Sequence, residues 1–345
     1  VRLPQSGAEA PRELGKKWLA GPLSENGIFR RRRRCVKIIY NLRGAYILMT
    51  IPEYEYDQNG IDFSAWHNVP QRDIDCYEWA ANVEPRFPLP KEAEASESIP
   101  VGKLTQYTWK SKVVYPDVSG IYKLYVPQQY HGQEAALMVI MDGDRMYIQG
   151  AKMPNVLDTM IANGELPVSI AVFIDPGNPG PGLPRYGGTD HRSIEYDSID
   201  DRYVTFLDKE ILEPLRERYH ITTDPSKSMI CGISSSGNAA FAAAWHRPDL
   251  FGKVLSNVGS FTAIRGGDLF PGLIRQSPAK PIRVYLQTGE HDLNTCFGNW
   301  PLANQSMASA LEYKSYDYKL EIGPGGHSIR YGASVMPDAL RWLWR

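Results

Sequence analysis

The sequence has few cysteines, and none of the residue spacings that usually hold a metal ion or a disulfide scaffold. Its four cysteines, at positions 35, 76, 231 and 296, lie far apart and form no C-x-x-C pair. This spacing argues against a zinc knuckle and against a small fold held by disulfide bonds. It does not decide whether the protein works in an oxidising or a reducing compartment. No set of His, Asp and Glu residues has metal-ligand spacing, and no glycine-rich phosphate loop occurs. We therefore predict no metal site.

The chain also lacks a long apolar run and an excess of charge of either sign. No apolar run approaches the ~20 residues of a membrane-spanning helix. Lys and Arg together number 38 and Asp and Glu 39, so the formal net charge is -1. This balance offers no net attraction to nucleic acid or to an anionic membrane. We expect a globular protein with neither partner, and its oligomeric state stays open.

The N-terminal end carries a run of five arginines, Arg30–Arg34, before an apolar stretch. A basic region followed by an apolar one is typical of a signal peptide, but Lys37 and Arg43 interrupt the apolar part and no clean cleavage site follows. A targeting or nucleic-acid patch is an alternative. We favour a cytoplasmic over a secreted location, consider Met49 a reasonable natural start, and predict that residues 1–85 are an irregular or disordered extension.

From residue 86 onward, strand and helix patterns alternate. Residues 104–114 and 119–127 alternate polar and apolar side chains, as the two strands of an antiparallel hairpin do. Residues 135–143 and 168–175 are continuous apolar runs, which are typical of buried parallel strands. The sequence therefore predicts one α/β domain over 86–345, with a mostly parallel, doubly wound sheet and an antiparallel hairpin at its start.

Further elements follow from the same patterns. Apolar runs that end in turn residues predict strands at 228–234, 253–261, 281–290 and 316–326. Helical spacing predicts helices at 153–165, 199–218, 237–249, 303–313 and 336–345. The segment 176–193 is rich in Gly and Pro, so we predict a loop there without regular structure.

Three consecutive serines lie at the predicted turn between the strand at 228–234 and the following helix. A nucleophile elbow has the form G-x-S-x-G, because the strained turn requires small residues two positions on either side of the nucleophile. With Ser234 as nucleophile, these positions hold Gly232 and Ser236. With Ser235 as nucleophile, one of them holds Ile233, which is a poor fit. The motif therefore favours Ser234 and predicts that Ser236→Gly is tolerated.

A serine needs a base, and the base needs an acid that orients it. In α/β hydrolases the chain order is Ser, acid, His. Of the histidines that follow Ser234, His246 lies on a predicted helix, His291 lies in the loop QTGEHDLN, and His327 lies in a glycine-rich loop after the last predicted strand. We predict His327 as the base. The loop QTGEHDLN offers Glu290 and Asp292 as the acid, and we favour Asp292.

The segments CGISSSGNAAFAAAWHRPDLFGKVLSNVGSF, QTGEHDLN and GGHS resemble the putative-esterase family of α/β hydrolases. This family includes enterochelin esterases and the feruloyl and acetylxylan esterases of the first carbohydrate-esterase family. The resemblance covers about 102–345. It implies an α/β-hydrolase fold with Ser234 as nucleophile, Asp292 as acid and His327 as base. The sequence departs from the family at Ser236, where glycine is usual.

An oxyanion hole needs two backbone N–H donors directed at the developing negative charge. The residue after the nucleophile, Ser235, should supply one. Resemblance to family members with D-G-x-R after the corresponding strand implies that Asp144 supplies the other. Ser, His and Asp with two N–H groups suffice for acyl transfer, so we expect no cofactor.

Loops beyond the C-terminal ends of the strands should hold the substrate, because α/β sheets bind ligands there. Aromatic and arginine side chains in these loops suit a sugar or a phenolic ester. We predict substrate contacts from Arg192, Tyr196, Arg265 and Trp300.

The predicted function is a serine carboxylesterase that acts through an acyl-enzyme on acylated carbohydrate, hydroxycinnamoyl or acetyl esters, either small molecules or polysaccharides. Siderophore (enterochelin-type) ester hydrolysis is the alternative. Enterochelin esterases carry a substantial N-terminal domain, and the irregular first 100 residues here favour the carbohydrate ester. The sequence is also compatible with an acyltransferase, and less so with a catalytically inactive module that keeps the fold for ligand binding.

Overall fold

The structure is a computed structural model of the 345-residue chain. It describes residues 56–57, 60–61, 72–73, 75, 79, 83–178 and 190–345. The arginine run Arg30–Arg34 and the proposed start at Met49 lie outside these residues. The domain boundary at residue 86 stays a prediction.

One eight-stranded sheet forms the centre of the described chain. Its strands are β1 (Lys103–Lys110), β2 (Ser119–Val126), β3 (Ala136–Met141), β4 (Ser169–Ile174), β5 (Ser228–Ile233), β6 (Lys253–Asn257), β7 (Arg283–Gly289) and β8 (Asp317–Gly323). The spatial order is β8-β7-β6-β5-β3-β4-β2-β1. Strands β3 to β8 are parallel, whereas β2 pairs antiparallel with both β1 and β4. The predicted mostly parallel sheet with an antiparallel hairpin is confirmed.

The central strands are mostly apolar because both faces of the sheet are covered. Every residue of β3, β4 and β5 is buried. Along β3, Leu137 and Val139 pack into the core on one face, whereas Met138 and Ile140 pack into the core on the other. Side chains alternate across a strand, so a continuous apolar run serves two cores. Burying each such side chain contributes roughly 1.5–3 kcal/mol.

Helices cover the sheet. They are α1 (Met153–Ala162), α2 (Asp190–Tyr196), α3 (Arg202–Phe206, continued by a π-helical turn Leu207–Leu212 and by Glu213–Arg216), α4 (Ser235–His246), α5 (Phe270–Gln276), α6 (Trp300–Tyr313), α7 (Ile329–Ser334) and α8 (Met336–Trp344). A π-helix spans Gly143–Gly150, and short 3-10 turns span Lys91–Ala93, Pro225–Lys227 and Gly267–Leu269. Two-residue strands pair Tyr56–Asp57 with Gly60–Ile61, and Asn294–Thr295 with Gly298–Asn299. None of the helices in the described residues is long and apolar enough to cross a membrane.

The loop predicted at 176–193 is wrong at its C-terminal end, where α2 begins at Asp190. Gly and Pro stop before this point, and His191 pairs with Glu195 one helical turn later at 2.6 Å. Tyr196 then enters the core completely buried. Helix α2 is therefore stabilised by a local pair and by burial. It contacts α4, where Asn238 donates to the carbonyl oxygen of Tyr196 at 3.0 Å.

Candidate active site

Ser234 lies at the turn between β5 and α4, with φ 59° and ψ −122°. A positive φ is uncommon for a residue other than glycine, and a strained serine between a strand and a helix has the geometry of a nucleophile elbow. The turn brings backbone atoms close together, since a Cβ at Gly232 would lie 2.1 Å from the carbonyl oxygen of Ser236. The small residue that the motif requires before the serine is thus needed sterically.

Ser234, His327 and Asp292 form a continuous hydrogen-bonded path. Ser234 Oγ lies 2.7 Å from His327 Nε2, and His327 Nδ1 lies 2.6 Å from Asp292 Oδ1. The buried Asp292 carboxylate also accepts the Leu293 N–H (2.7 Å) and the Thr288 hydroxyl (3.0 Å). These bonds satisfy the carboxylate and fix its orientation toward the imidazole. The three residues predicted from chain order therefore lie together.

The remaining candidate acid and bases have different surroundings. Glu290 is exposed. His291 is also exposed, and its ring packs against the ring of Trp79 with a centroid separation of 4.7 Å. His246 Nε2 lies 2.7 Å from the carbonyl oxygen of Ile199. Of the histidines and acids that follow Ser234 on the candidate loops and helix, His327 and Asp292 are the pair that reaches it.

The loops that carry Asp292 and His327 are joined through their backbones. The N–H of Glu290 donates to Gly323 O at 2.8 Å, and the N–H of His291 donates to Gly325 O at 3.0 Å. A Cβ at Gly289 would lie 2.1 Å from Gly325 O, so glycine is required for this approach. The distance between acid and base is therefore set by main-chain contacts as well as by side chains.

Residues N-terminal to the sheet also contact both loops. The buried Glu84 carboxylate accepts the N–H of Gly326 at 2.8 Å. Arg330 donates to Glu84 O at 2.9 Å and lies 3.6 Å from its carboxylate. On the acid side, Asp73 accepts the N–H of Cys296 at 2.9 Å. These contacts have no counterpart among the sequence motifs, because isolated acids in an irregular segment form no pattern.

Ser260 and Trp300 support Ser234 and His327 from one side. Ser260 Oγ lies 3.2 Å from Ser234 Oγ and accepts the indole N–H of Trp300 at 3.1 Å. The Trp300 ring also stands edge-on to the His327 ring, with a centroid separation of 5.6 Å. Trp300 is only 2% exposed. Its position therefore favours a supporting role over the predicted substrate contact, and Ser260 is a neighbour that no sequence motif indicates.

The other predicted substrate residues divide between the surface and the interior. Arg265 is exposed, and its Nε donates to the Ser193 hydroxyl at 3.0 Å. Tyr196 is completely buried, and Arg192 forms an ion pair with Asp142. Burial lowers the pKa of Arg192, but the facing Asp142 carboxylate more than offsets this and raises it, so the guanidinium stays charged. Substrate contact stays a prediction for all of them, and exposure favours Arg265.

The two predicted oxyanion donors differ in their surroundings. The N–H of Ser235 lies at the N-terminus of α4, where helix geometry favours negative charge. The N–H of Asp144 donates to Asp175 Oδ1 at 3.2 Å, and the Asp144 carboxylate pairs with Lys123 at 2.6 Å. The second donor therefore already has a carboxylate partner, and its catalytic role stays a prediction. Among the described residues, no cluster of three or more His, Cys, Asp or Glu could hold a metal ion.

A mostly parallel sheet, a strained serine between a strand and a helix, and a His–Asp pair on the loops after β7 and β8 define the α/β-hydrolase class. Residues 121–343 match the family model described as "Putative esterase". The chain belongs to this esterase family.

Several proteins to which this chain is similar are esterases. The chain is 26% identical to the iron(III) enterobactin esterase of Dickeya dadantii over 222 residues, which are 60% of this chain and 47% of that protein. It thus spans about half of that relative's length. Enterobactin esterase from Shigella flexneri is similar in structure (TM-score 0.58, 22% identity, 75% of this chain and 64% of that one). So is the CE1 ferulic acid esterase of Anaeromyces mucronatus (TM-score 0.60, 15% identity, 74% and 95%).

Proposed function

We propose that this protein hydrolyses carboxylic esters, with Ser234 as nucleophile, His327 as general base and Asp292 as the acid that orients the base. The observation that carries the proposal is the hydrogen-bonded path from Ser234 Oγ through His327 to Asp292, with distances of 2.7 and 2.6 Å. A serine hydroxyl is a weak nucleophile unless an adjacent base accepts its proton. Here the base is in contact with the hydroxyl, and the acid holds the other ring nitrogen.

The geometry supports a two-step reaction. His327 Nε2 accepts the proton as Ser234 Oγ attacks the ester carbonyl carbon, and the tetrahedral intermediate places its oxyanion near the Ser235 N–H. His327 then returns the proton to the leaving alcohol, which leaves an acyl group on Ser234. Water then attacks the acyl carbon with His327 again as base, and the bond from this carbon to Ser234 Oγ breaks as His327 returns the proton to Oγ, which releases the carboxylic acid and restores the serine. Asp292 fixes the tautomer of His327 and stabilises the imidazolium in both steps.

The first substrate candidate is an acylated carbohydrate, or a hydroxycinnamoyl or acetyl ester. It is supported by the similarity to a ferulic acid esterase, of which this chain covers 95%. The second candidate is a siderophore ester, supported by the 26% identity to an iron(III) enterobactin esterase. Both reactions use the same nucleophile, base and acid, so the residues that contact the substrate decide between them.

A substrate panel tests the proposal. Purified protein is assayed with p-nitrophenyl acetate, methyl ferulate, acetylated xylan and a catecholate trilactone, with Ser234→Ala as the matched control. We expect hydrolysis of p-nitrophenyl acetate and the highest kcat/KM for one of the other three esters, with EDTA leaving every rate unchanged. Absence of hydrolysis, or equal rates for the wild type and Ser234→Ala, would contradict the proposal. EDTA inhibition that zinc restores would contradict the metal-independent mechanism.

A further inference from the structure

Ser236 occupies the position two residues after Ser234, where the elbow motif predicts that glycine serves as well. Its side chain is completely buried in the first turn of α4. The hydroxyl accepts the Ile233 N–H at 2.8 Å and lies 2.7 Å from both the Ile233 carbonyl oxygen and Asp142 Oδ2. A hydroxyl has one hydrogen to donate, and the carboxylate is the stronger acceptor. Glycine could make none of these bonds.

Asp142 directly follows β3 and begins the loop that contains Gly143 and Asp144. Its backbone is left-handed, with φ 52° and ψ 39°, immediately before the π-helix Gly143–Gly150. This conformation is uncommon outside glycine, and aspartate is one of the residues that adopt it most readily. The Asp142 side chain is completely buried, so the direction of this loop depends on what holds the carboxylate.

Arg192 holds the Asp142 carboxylate from the other side. Its Nη2 donates to Asp142 Oδ2 at 2.6 Å and its Nε to Oδ1 at 3.2 Å. A two-pronged guanidinium–carboxylate pair fixes orientation as well as distance. Because a buried carboxylate without partners is strongly unfavourable, Asp142 is confined between the guanidinium and the Ser236 hydroxyl.

We propose that Ser236, Asp142 and Arg192 form a positioning relay, which holds the loop after β3 at a fixed place relative to Ser234. The relay connects α2, the end of β3 and the first turn of α4. This inference rests on the proposed function, because the loop's position matters to the reaction only if Ser234 is acylated and the loop supplies an oxyanion donor. None of the three side chains needs to contact the substrate.

Hydrogen exchange tests the relay without reference to activity. The full chain is compared with Ser236→Ala, and with Ser256→Ala as the matched control, because Ser256 is another buried serine and its Oγ has no hydrogen-bond partner among the described residues. We expect amides in 142–150 to exchange about tenfold faster in Ser236→Ala, because a hydrogen bond to a charged group is lost. Ser256→Ala should match the wild type. Unchanged exchange in Ser236→Ala overturns the relay.

Kinetics then test its role in the reaction. We expect Ser236→Ala to lower kcat about tenfold while KM changes less than about threefold. A displaced loop stabilises the oxyanion of the transition state less well and has less effect on the bound substrate. The inhibition constant of phenylboronic acid, which forms a tetrahedral adduct with the serine, should rise by the same factor as kcat falls. A change in KM alone would overturn the positioning role.

A further variant and the wild-type assay separate the two proposals. Asp142→Asn keeps the side-chain shape and weakens the pair with Arg192. If Ser236→Ala does not fold, the same hydrogen-exchange and kinetic measurements are made on Asp142→Asn. If the wild type hydrolyses no ester, the proposed function fails, while the exchange measurement still decides whether the relay exists.

Discussion

The Glu84 carboxylate accepts the backbone N–H of Gly326 at 2.8 Å, and Gly326 is the residue directly before His327 in the chain. Glu84 is buried, and Arg330 lies 3.6 Å from the same carboxylate. A residue far from the triad in sequence therefore holds the loop that presents the proposed base. This contact links the segment before the sheet to the chemistry of the site.

We expect Glu84→Ala to lower kcat about tenfold with little change in KM, because the loop carrying His327 loses a buried, charge-assisted hydrogen bond. The melting temperature should also fall, since Arg330 loses its carboxylate partner. Steady-state kinetics and thermal unfolding check this. The exposed Glu97 provides the control, and Glu97→Ala should change neither property. A variant with lower thermal stability but unchanged kcat would limit Glu84 to a structural role.

Ser234→Ala should reduce kcat by about 10³-fold or more, because the acyl-enzyme can no longer form. Ser235→Ala should have a small effect, since alanine keeps the backbone N–H at the start of α4. Initial rates with p-nitrophenyl acetate distinguish the two serines, and mass spectrometry after fluorophosphonate labelling shows which one is modified. If Ser235→Ala were the inactive variant, the nucleophile would be one residue further along the chain.

His327→Ala should abolish turnover about as completely as Ser234→Ala, and the double variant should be hardly worse, because residues that act as a unit are not additive. Asp292→Asn should lose less, because the imidazole remains but its favoured tautomer is lost. The exposed Glu290 supplies the control, and Glu290→Gln should change kcat little. A larger loss in Glu290→Gln than in Asp292→Asn would contradict the choice of acid.

The three proposed triad residues can be found from the sequence because their signals are local and ordered. An elbow serine needs small neighbours, and acid and base follow it on loops after later strands. These signals select Ser234 and His327 and narrow the acid to Glu290 or Asp292. The sheet is predictable for a similar reason, because continuous apolar runs such as β3 and β4 are typical of strands buried on both faces.

The supporting residues cannot be found in this way, because they meet only in three dimensions. Glu84 and Gly326 are 242 positions apart, and Asp142 and Ser236 are 94 apart. Neither pair leaves a periodic pattern. The elbow motif favours the smallest residue at position 236. In the structure, however, the Ser236 hydroxyl donates a hydrogen bond to the Asp142 carboxylate. Trp300 and Arg192 have side chains of the types that often bind ligands, and only the structure shows that Trp300 donates to Ser260 and that Arg192 pairs with Asp142.

The second oxyanion donor can be tested at Asp144 itself, whose N–H donates to Asp175. Asp144→Pro removes this N–H, and proline is tolerated in the first turn of a helix, where Asp144 lies. Asp144→Ala is the matched control, because it removes the same carboxylate and its pair with Lys123 but keeps the N–H. If the N–H turns from Asp175 to the oxyanion during the reaction, kcat should fall about 10²–10³-fold in Asp144→Pro relative to Asp144→Ala, with KM little changed. Circular dichroism and thermal unfolding establish that both variants are folded. Equal kcat values in the two folded variants would place the second donor at another residue.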